Sequence, residues 1–194
     1  MEESVLRKII VLVIVILGVL VYFALQPGPE YVPLSMQEAK NFIATDLQPL
    51  VEKGGDYRFI DVYQKDGSWE AEVLVAENPH SQCPTLTRRV YAVTPFSFRP
   101  ESIISNCNYR KGLLVYREEA LINSAQTSPA KEFISGANAY GCAFKIRDFE
   151  DSSALEYCKG LDINAFETFS KNLKPDSWVV MWTASGKTNF YEIN

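Results

Sequence analysis

Histidine is nearly missing from this chain: His80 is the only one among 194 residues. A Ser-His or Cys-His nucleophilic centre would have to use that residue, and no G-x-S-x-G elbow stands elsewhere to serve it. His80 lies in the loop 78–84 and reads as a surface residue. Closely spaced cysteines are missing too. Cys83, Cys107, Cys142 and Cys158 include no C-x-x-C pair, and His80 with Cys83 alone does not make a structural zinc site. No metal or cofactor is expected. Basic runs are absent from the body of the chain, where Arg88–Arg89 and Arg110–Lys111 are the only pairs and the net charge is −5. That balance argues against nucleic acid as a partner and against a domain lying flat on anionic lipid.

Two short motifs are incomplete. Gly186, Lys187 and Thr188 match the end of a phosphate-binding loop, but Met181 stands where the upstream glycine belongs, so the stretch reads as a turn. Ser128, Pro129, Ala130 and Lys131 fit S-x-x-K, yet no S-D-N or K-T-G element follows. They read as an N-capping serine with a surface lysine. Asp148, Glu150 and Asp151 gather where a strand meets a helix; such a cluster could hold a calcium ion weakly, but a helix start attracts acids without any ligand. A sugar hydrolase needs two carboxylates set apart in space, and the sequence singles out no pair. The expected catalytic set is therefore empty, and no binding residue is marked.

What the chain does have is one long apolar run, opening at Ile9 and closing at Leu25, interrupted mildly by Gly18 and Tyr22. Val5 and Leu6 extend it to about 20 residues, which as a helix matches a hydrocarbon core of ~30 Å. No polar face interrupts it. A cleaved signal peptide would be shorter and would end on small residues, whereas Tyr22, Phe23, Ala24, Leu25 and Gln26 follow here. Arg7 and Lys8 precede the run, and the next base is Lys40. The positive-inside rule then places the N-terminus in the cytoplasm and the rest outside, giving a single-pass protein of the cell membrane. The expected organisation is an anchor over 1–25, a proline-rich linker over 26–34 and one exported domain over 35–194.

An even cysteine count in an exported domain predicts two disulfides. Three pairings are possible, and the preferred one is Cys83–Cys107 with Cys142–Cys158, because each closes a local loop.

Ser35 and Glu38 form a capping-box pattern ahead of apolar positions at 36, 39, 42, 43, 47 and 50, which predicts a helix that Pro49 bends or ends. Strands are expected over 57–64 and 68–77 around a turn at 65–67, the second with one dry face and one largely wet. Further strands are expected over 85–94, 112–116 and 140–149, with 95–100 as a break. Helical character returns over 118–125, 128–134, 151–159 and 162–173, and a closing hairpin spans 178–193. Both ends read as helix, proline, hairpin, and Ala39, Leu47 and Pro49 match Ala165, Leu173 and Pro175 in spacing. The sum is an α+β domain: a mainly antiparallel sheet with helices packed on one face, behind an N-terminal transmembrane helix. Tyr57, Phe59, Tyr63, Trp69, Tyr91, Phe96 and Phe98 cluster in the first half, and Trp178, Trp182, Phe190 and Tyr191 in the last hairpin. Any left exposed would make a binding face. The expected role is a non-catalytic accessory or assembly component that binds a partner protein at the outer membrane face. The alternatives are a small-molecule-binding ectodomain and a carboxylate-dependent hydrolase.

Overall fold

The computed structural model describes residues 13, 15–18, 21, 33, 35–135, 138–150 and 153–193. The chain divides into two units, Met1–Val32 and Pro33–Asn194. In the first, the described residues are helical, and Val13, Val15, Ile16, Leu17 and Val21 are 48–55% exposed. Most of the predicted span, with Arg7 and Lys8, lies outside the described residues. Among the described residues no helix is long and apolar enough to cross a membrane.

The second unit begins with α1 (Met36–Glu52). Both halves of the capping box form, with the Glu38 amide donating to Ser35 Oγ at 3.2 Å and the Ser35 amide to Glu38 Oε2 at 3.0 Å. Ala39, Ile43 and Leu47, four residues apart, share the buried face. Pro49 does not end the helix. It sits in the last turn, where its missing N–H removes a single backbone bond, and the helix runs on to Glu52 before Gly54 (φ 83°) closes it.

Strands β1 (Asp56–Lys65), β2 (Ser68–Glu77), β3 (Thr85–Ala92) and β4 (Ser97–Ile104) then form an antiparallel sheet in sequence order. Asp66 (φ 49°) and Gly67 (φ 80°) supply the two left-handed residues that the first hairpin turn needs. On β2, Ala71, Val73 and Val75 pack towards α1, while Leu74 and Ala76 are buried on the opposite face. That second face was expected to be largely wet; it is dry where a later helix covers it. The fourth strand is also displaced from expectation. It is Ser97–Ile104, and residues 112–116 form no strand. Pro100 is tolerated because β4 is an edge strand, where an absent N–H need not break a ladder.

The chain continues through α2 (Arg117–Gln126), α3 (Ser128–Ile134), β5 (Tyr140–Lys145), α4 (Ile146–Glu150), α5 (Ser153–Tyr157), α6 (Ile163–Ser170), β6 (Trp178–Ala184) and β7 (Lys187–Ile193). The strand expected over 140–149 stops at Lys145, where the Asp148 side chain takes the Lys145 amide at 3.2 Å and the chain turns into α4. β5, β6 and β7 make a second antiparallel sheet in that order. The expected single sheet with helices on one face is therefore two sheets with helices on both faces of each. α1 covers one face of the first sheet. Ile122 of α2 packs on its other face, against Leu74, Leu86 and Ile104. Leu121 of α2 and Ala130 of α3 pack on the second sheet against Val180 and Trp182, and Phe166 of α6 covers its far side. α2 is thus buried between the sheets, which is why Glu118, Asn123 and Ser124 are buried with its apolar residues.

The spacing match between the two ends does not extend to packing, since Ala39 is fully buried and Ala165 is exposed.

The disulfides are Cys83–Cys107 (Cα–Cα 5.1 Å) and Cys142–Cys158 (Cα–Cα 5.6 Å). The first ties the loop after β2 to the chain after β4, and the second ties the end of α5 to β5. Two such bonds, with no free cysteine among the described residues, mark an oxidising, extracytoplasmic environment.

Candidate functional site

The polar centre of the domain lies where the first sheet meets the start of α2. Glu118 is fully buried, and Arg58 of β1 grips it with two bonds of 2.8 and 2.9 Å. Arg117 reaches Glu118 with Nε at 3.3 Å and pairs with Asp56 through its terminal nitrogen. Burial alone would raise the Glu118 carboxyl, but the Arg58 bonds and the charges of Arg58 and Arg117 outweigh it and hold the group below its ordinary value. The Arg117 guanidinium also lies over the Tyr157 ring, 3.4 Å from its centroid.

His80 joins the same seam. Its ring stacks on Tyr140 (centroids 4.5 Å apart) and leans on Tyr157 at 5.0 Å. Nδ1 lies 2.9 Å from the Gly141 carbonyl, and because a carbonyl can only accept, Nδ1 carries the proton. Burial lowers its pKa, as does the charge of Arg117, while the bond to Gly141 works the other way. The residue read as a surface histidine is therefore a half-buried clamp holding the 78–84 loop to β5.

Arg58, Arg117 and Tyr157 of this cluster border a cleft of about 380 Å³ whose walls also include Phe144, Asp148, Trp178 and Val115. The two carboxylates brought together here, Asp56 and Glu118, both bond to Arg117, and Glu118 to Arg58 as well. Two acids held by two guanidiniums tie elements to one another; they are not arranged as an acid and a base across a substrate gap. Tyr157 is the exception. Its hydroxyl is buried without a partner among the described residues, and burial pushes its pKa well above the ordinary value. Tyr157→Phe should raise stability by about 1 kcal/mol if nothing satisfies that hydroxyl. Urea unfolding of the two proteins checks this, and a loss instead would show that the hydroxyl is bonded in solution.

Beside the cleft runs the segment 105–116, which has no regular structure but is fastened at many points. Cys107 is in a disulfide. The buried Asn123 side chain accepts from the Arg110 amide at 2.7 Å and donates to the Arg110 carbonyl at 2.8 Å. The Trp178 indole donates to the Leu114 carbonyl at 3.1 Å, and Glu119 takes the Val115 and Tyr116 amides at 2.9 and 3.0 Å. Between these fixed points three large side chains stand in water: Leu113 is 91% exposed, Val115 61% and Tyr109 52%. Leu113 also borders a second cleft, of about 350 Å³, with Lys145, Lys174, Trp178 and Ile193.

The residues singled out by motif are dispersed. Ser185 (φ 51°) and Gly186 (φ 75°) form the two-residue turn before β7, so Lys187 and Thr188 belong to a hairpin. Ser128 and Lys131 are exposed on α3, whose cap is Thr127 rather than Ser128. Asp151 and the Glu150 side chain lie outside the described residues, and Asp148 caps the turn after β5. Among the described residues no group of three or more His, Cys, Asp and Glu side chains is placed to hold a metal ion. Of the aromatics, Phe96 packs against Phe42 and Phe98 against Tyr91, so both half-exposed rings are partly spent within the fold. Sequence reasoning missed Leu113 and Val115 because an apolar run of 113–115 looks like a strand.

No family model, curated protein or solved structure matches the chain.

Proposed function

We propose that this is a single-pass membrane protein whose extracytoplasmic domain is a non-catalytic accessory component, binding a partner protein through the segment 105–116. The observation that carries the reading is Leu113. An apolar side chain 91% exposed on a backbone pinned on both sides has already lost the conformational entropy that binding would otherwise cost. Such a loop suits a protein interface better than a flexible tip does, and aromatic and aliphatic anchors are what such interfaces bury. The anchor over 9–25 is supported by its composition and by the exposure of Val13, Val15, Ile16, Leu17 and Val21 on the helix they form.

One preparation tests both parts. Native membranes are washed with alkaline carbonate, and the full-length protein is then cross-linked and its companions identified by mass spectrometry. The chain should stay in the membrane, and one partner should co-purify in fixed ratio. Leu113→Asp with Val115→Asp should cut its recovery at least about tenfold, as loss of an interface anchor does. Melting should be unchanged, because neither side chain is buried. Release by carbonate would remove the anchor, and unchanged recovery would remove the loop from the interface.

A second reading, a small molecule in the cleft beside Arg117, is favoured by the buried Tyr157 hydroxyl. The Tyr157 hydroxyl would donate to a hydrogen-bond acceptor on that ligand.

A further inference from the structure

A sheet edge is a row of unpaired backbone groups, and folded proteins usually blunt it. Three of the four edges here are blunted. β1 carries a bulge between Phe59 and Asp61, and the Asp61 side chain occupies the Val62 amide at 2.8 Å. β4 carries Pro100, which has no N–H to offer. β5 is covered by the 78–84 loop, with the Gly141 amide donating to the His80 carbonyl at 2.7 Å. Among the described residues β7 has none of these devices. Its register against β6 runs unbroken from Lys187 to Ile193, with no proline and no bulge. Because Ala184 and Lys187 close a two-residue turn, alternation along the ladder points the backbone groups of Thr188, Phe190 and Glu192 away from β6.

This open edge lies along a trench. One stretch of it, about 570 Å³, is walled by Pro129, Glu132 and Phe133. The adjoining stretch, about 350 Å³, is walled by Phe169 and Leu173, and Pro129, Phe190 and Tyr191 border both. The charged side chains bordering the trench are Glu132 and Glu192, both acidic. Glu192 accepts the Ser177 hydroxyl at 2.9 Å, which leaves its charge in place.

We propose that the outer edge of β7 is a strand-addition site for an extended peptide segment of a partner protein, apolar at alternate positions and bearing lysine or arginine. Main-chain bonds to Thr188, Phe190 and Glu192 would hold it, the trench would take its apolar side chains, and Glu132 and Glu192 would meet its cations. A second copy of this chain fits less well, because it would bring its own Glu132 and Glu192 to the same acidic seam. This surface is separate from the segment 105–116.

The test uses the full-length protein in zwitterionic detergent and a fluorescent valine-rich peptide of about ten residues, the length of one strand, with lysine on both of its faces. Fluorescence anisotropy should show saturable binding, and hydrogen exchange should show new protection at the Thr188, Phe190 and Glu192 amides. Glu132→Lys with Glu192→Lys should weaken binding at least about tenfold, as should glutamate for lysine, or a central proline, in the peptide. Leu113→Asp should leave it unchanged, which separates failure here from failure of the loop reading. No binding of the valine–lysine peptide overturns the proposal, and so does equal binding of the proline-bearing one. A dimer by sedimentation with the β7 amides already protected would overturn it in favour of a second copy.

Discussion

Glu118→Ala should destabilise the domain by about 3 kcal/mol, the lower end of what removing one member of a buried ion pair costs. The lower end applies because the Arg58 side chain is 31% exposed and can turn towards water, whereas Arg117, 18% exposed and still paired with Asp56, has less freedom. In a domain of this size the melting temperature should fall by about 6–12 °C. Replacing Arg58 and Glu118 together with leucine should cost less than the sum of the single changes, since neither then leaves an unpaired charge. The acid limb of the stability curve offers an independent check. The folded Glu118 carboxyl titrates below its ordinary value, so its contribution is fully present above the unfolded pKa and is lost as pH falls through the folded one. His80 also titrates below its ordinary value of 6.5, so unfolding takes up a proton as pH drops past that point. Unfolding measured from pH 7 downward should therefore show two successive losses in the native protein. The lower one should vanish in Glu118→Ala; if it persists, another carboxylate governs acid unfolding.

Trp182→Ala should cost about 4 kcal/mol, within the range for emptying a large buried aromatic site. Trp182 is fully buried, its indole donates to Ser124 Oγ at 3.0 Å, and its ring occupies the space beside Gly141. A methyl group at position 141 would press into the Trp182 ring and lie 2.7 Å from Leu121 Cδ2. Gly141→Ala should thus cost about 2 kcal/mol by overpacking. Most of that penalty should disappear in the Trp182→Ala background, where the cavity receives the methyl group. Additive losses in urea unfolding would mean that the conflict at position 141 is with Leu121 and not with the ring.

Much of this fold could be read from sequence where the pattern is local. Ser35 and Glu38 specified the start of α1, Asp66–Gly67 and Ser185–Gly186 fixed two hairpins, and the cysteine spacing favoured the pairing that forms. The errors share one cause: they concern strands and helices whose neighbours are distant in the chain. Pro100 looked like a breaker because nothing nearby reveals that β4 is an edge. The face of β2 that carries Leu74 looked largely wet because the helix covering it begins some forty residues later. Residues 113–115 looked like a strand because three apolar residues in a row do not reveal that only Leu114 packs into the core while Leu113 and Val115 face water. The buried charge cluster was illegible for the same reason. Arg58 and Glu118 are sixty residues apart, and neither carries a local mark of the other.

The burial of α2 between two sheets decides how the chain can be divided. Each sheet has a helix of its own on the outside, but both borrow the same one for the inside. A fragment ending after β4 would leave Leu74, Leu86 and Ile104 without Ile122, and a fragment beginning at β5 would leave Val180 and Trp182 without Leu121. A cut on either side of α2 therefore uncovers the inner face of one sheet, so the two sheets are tied to one another through a single helix.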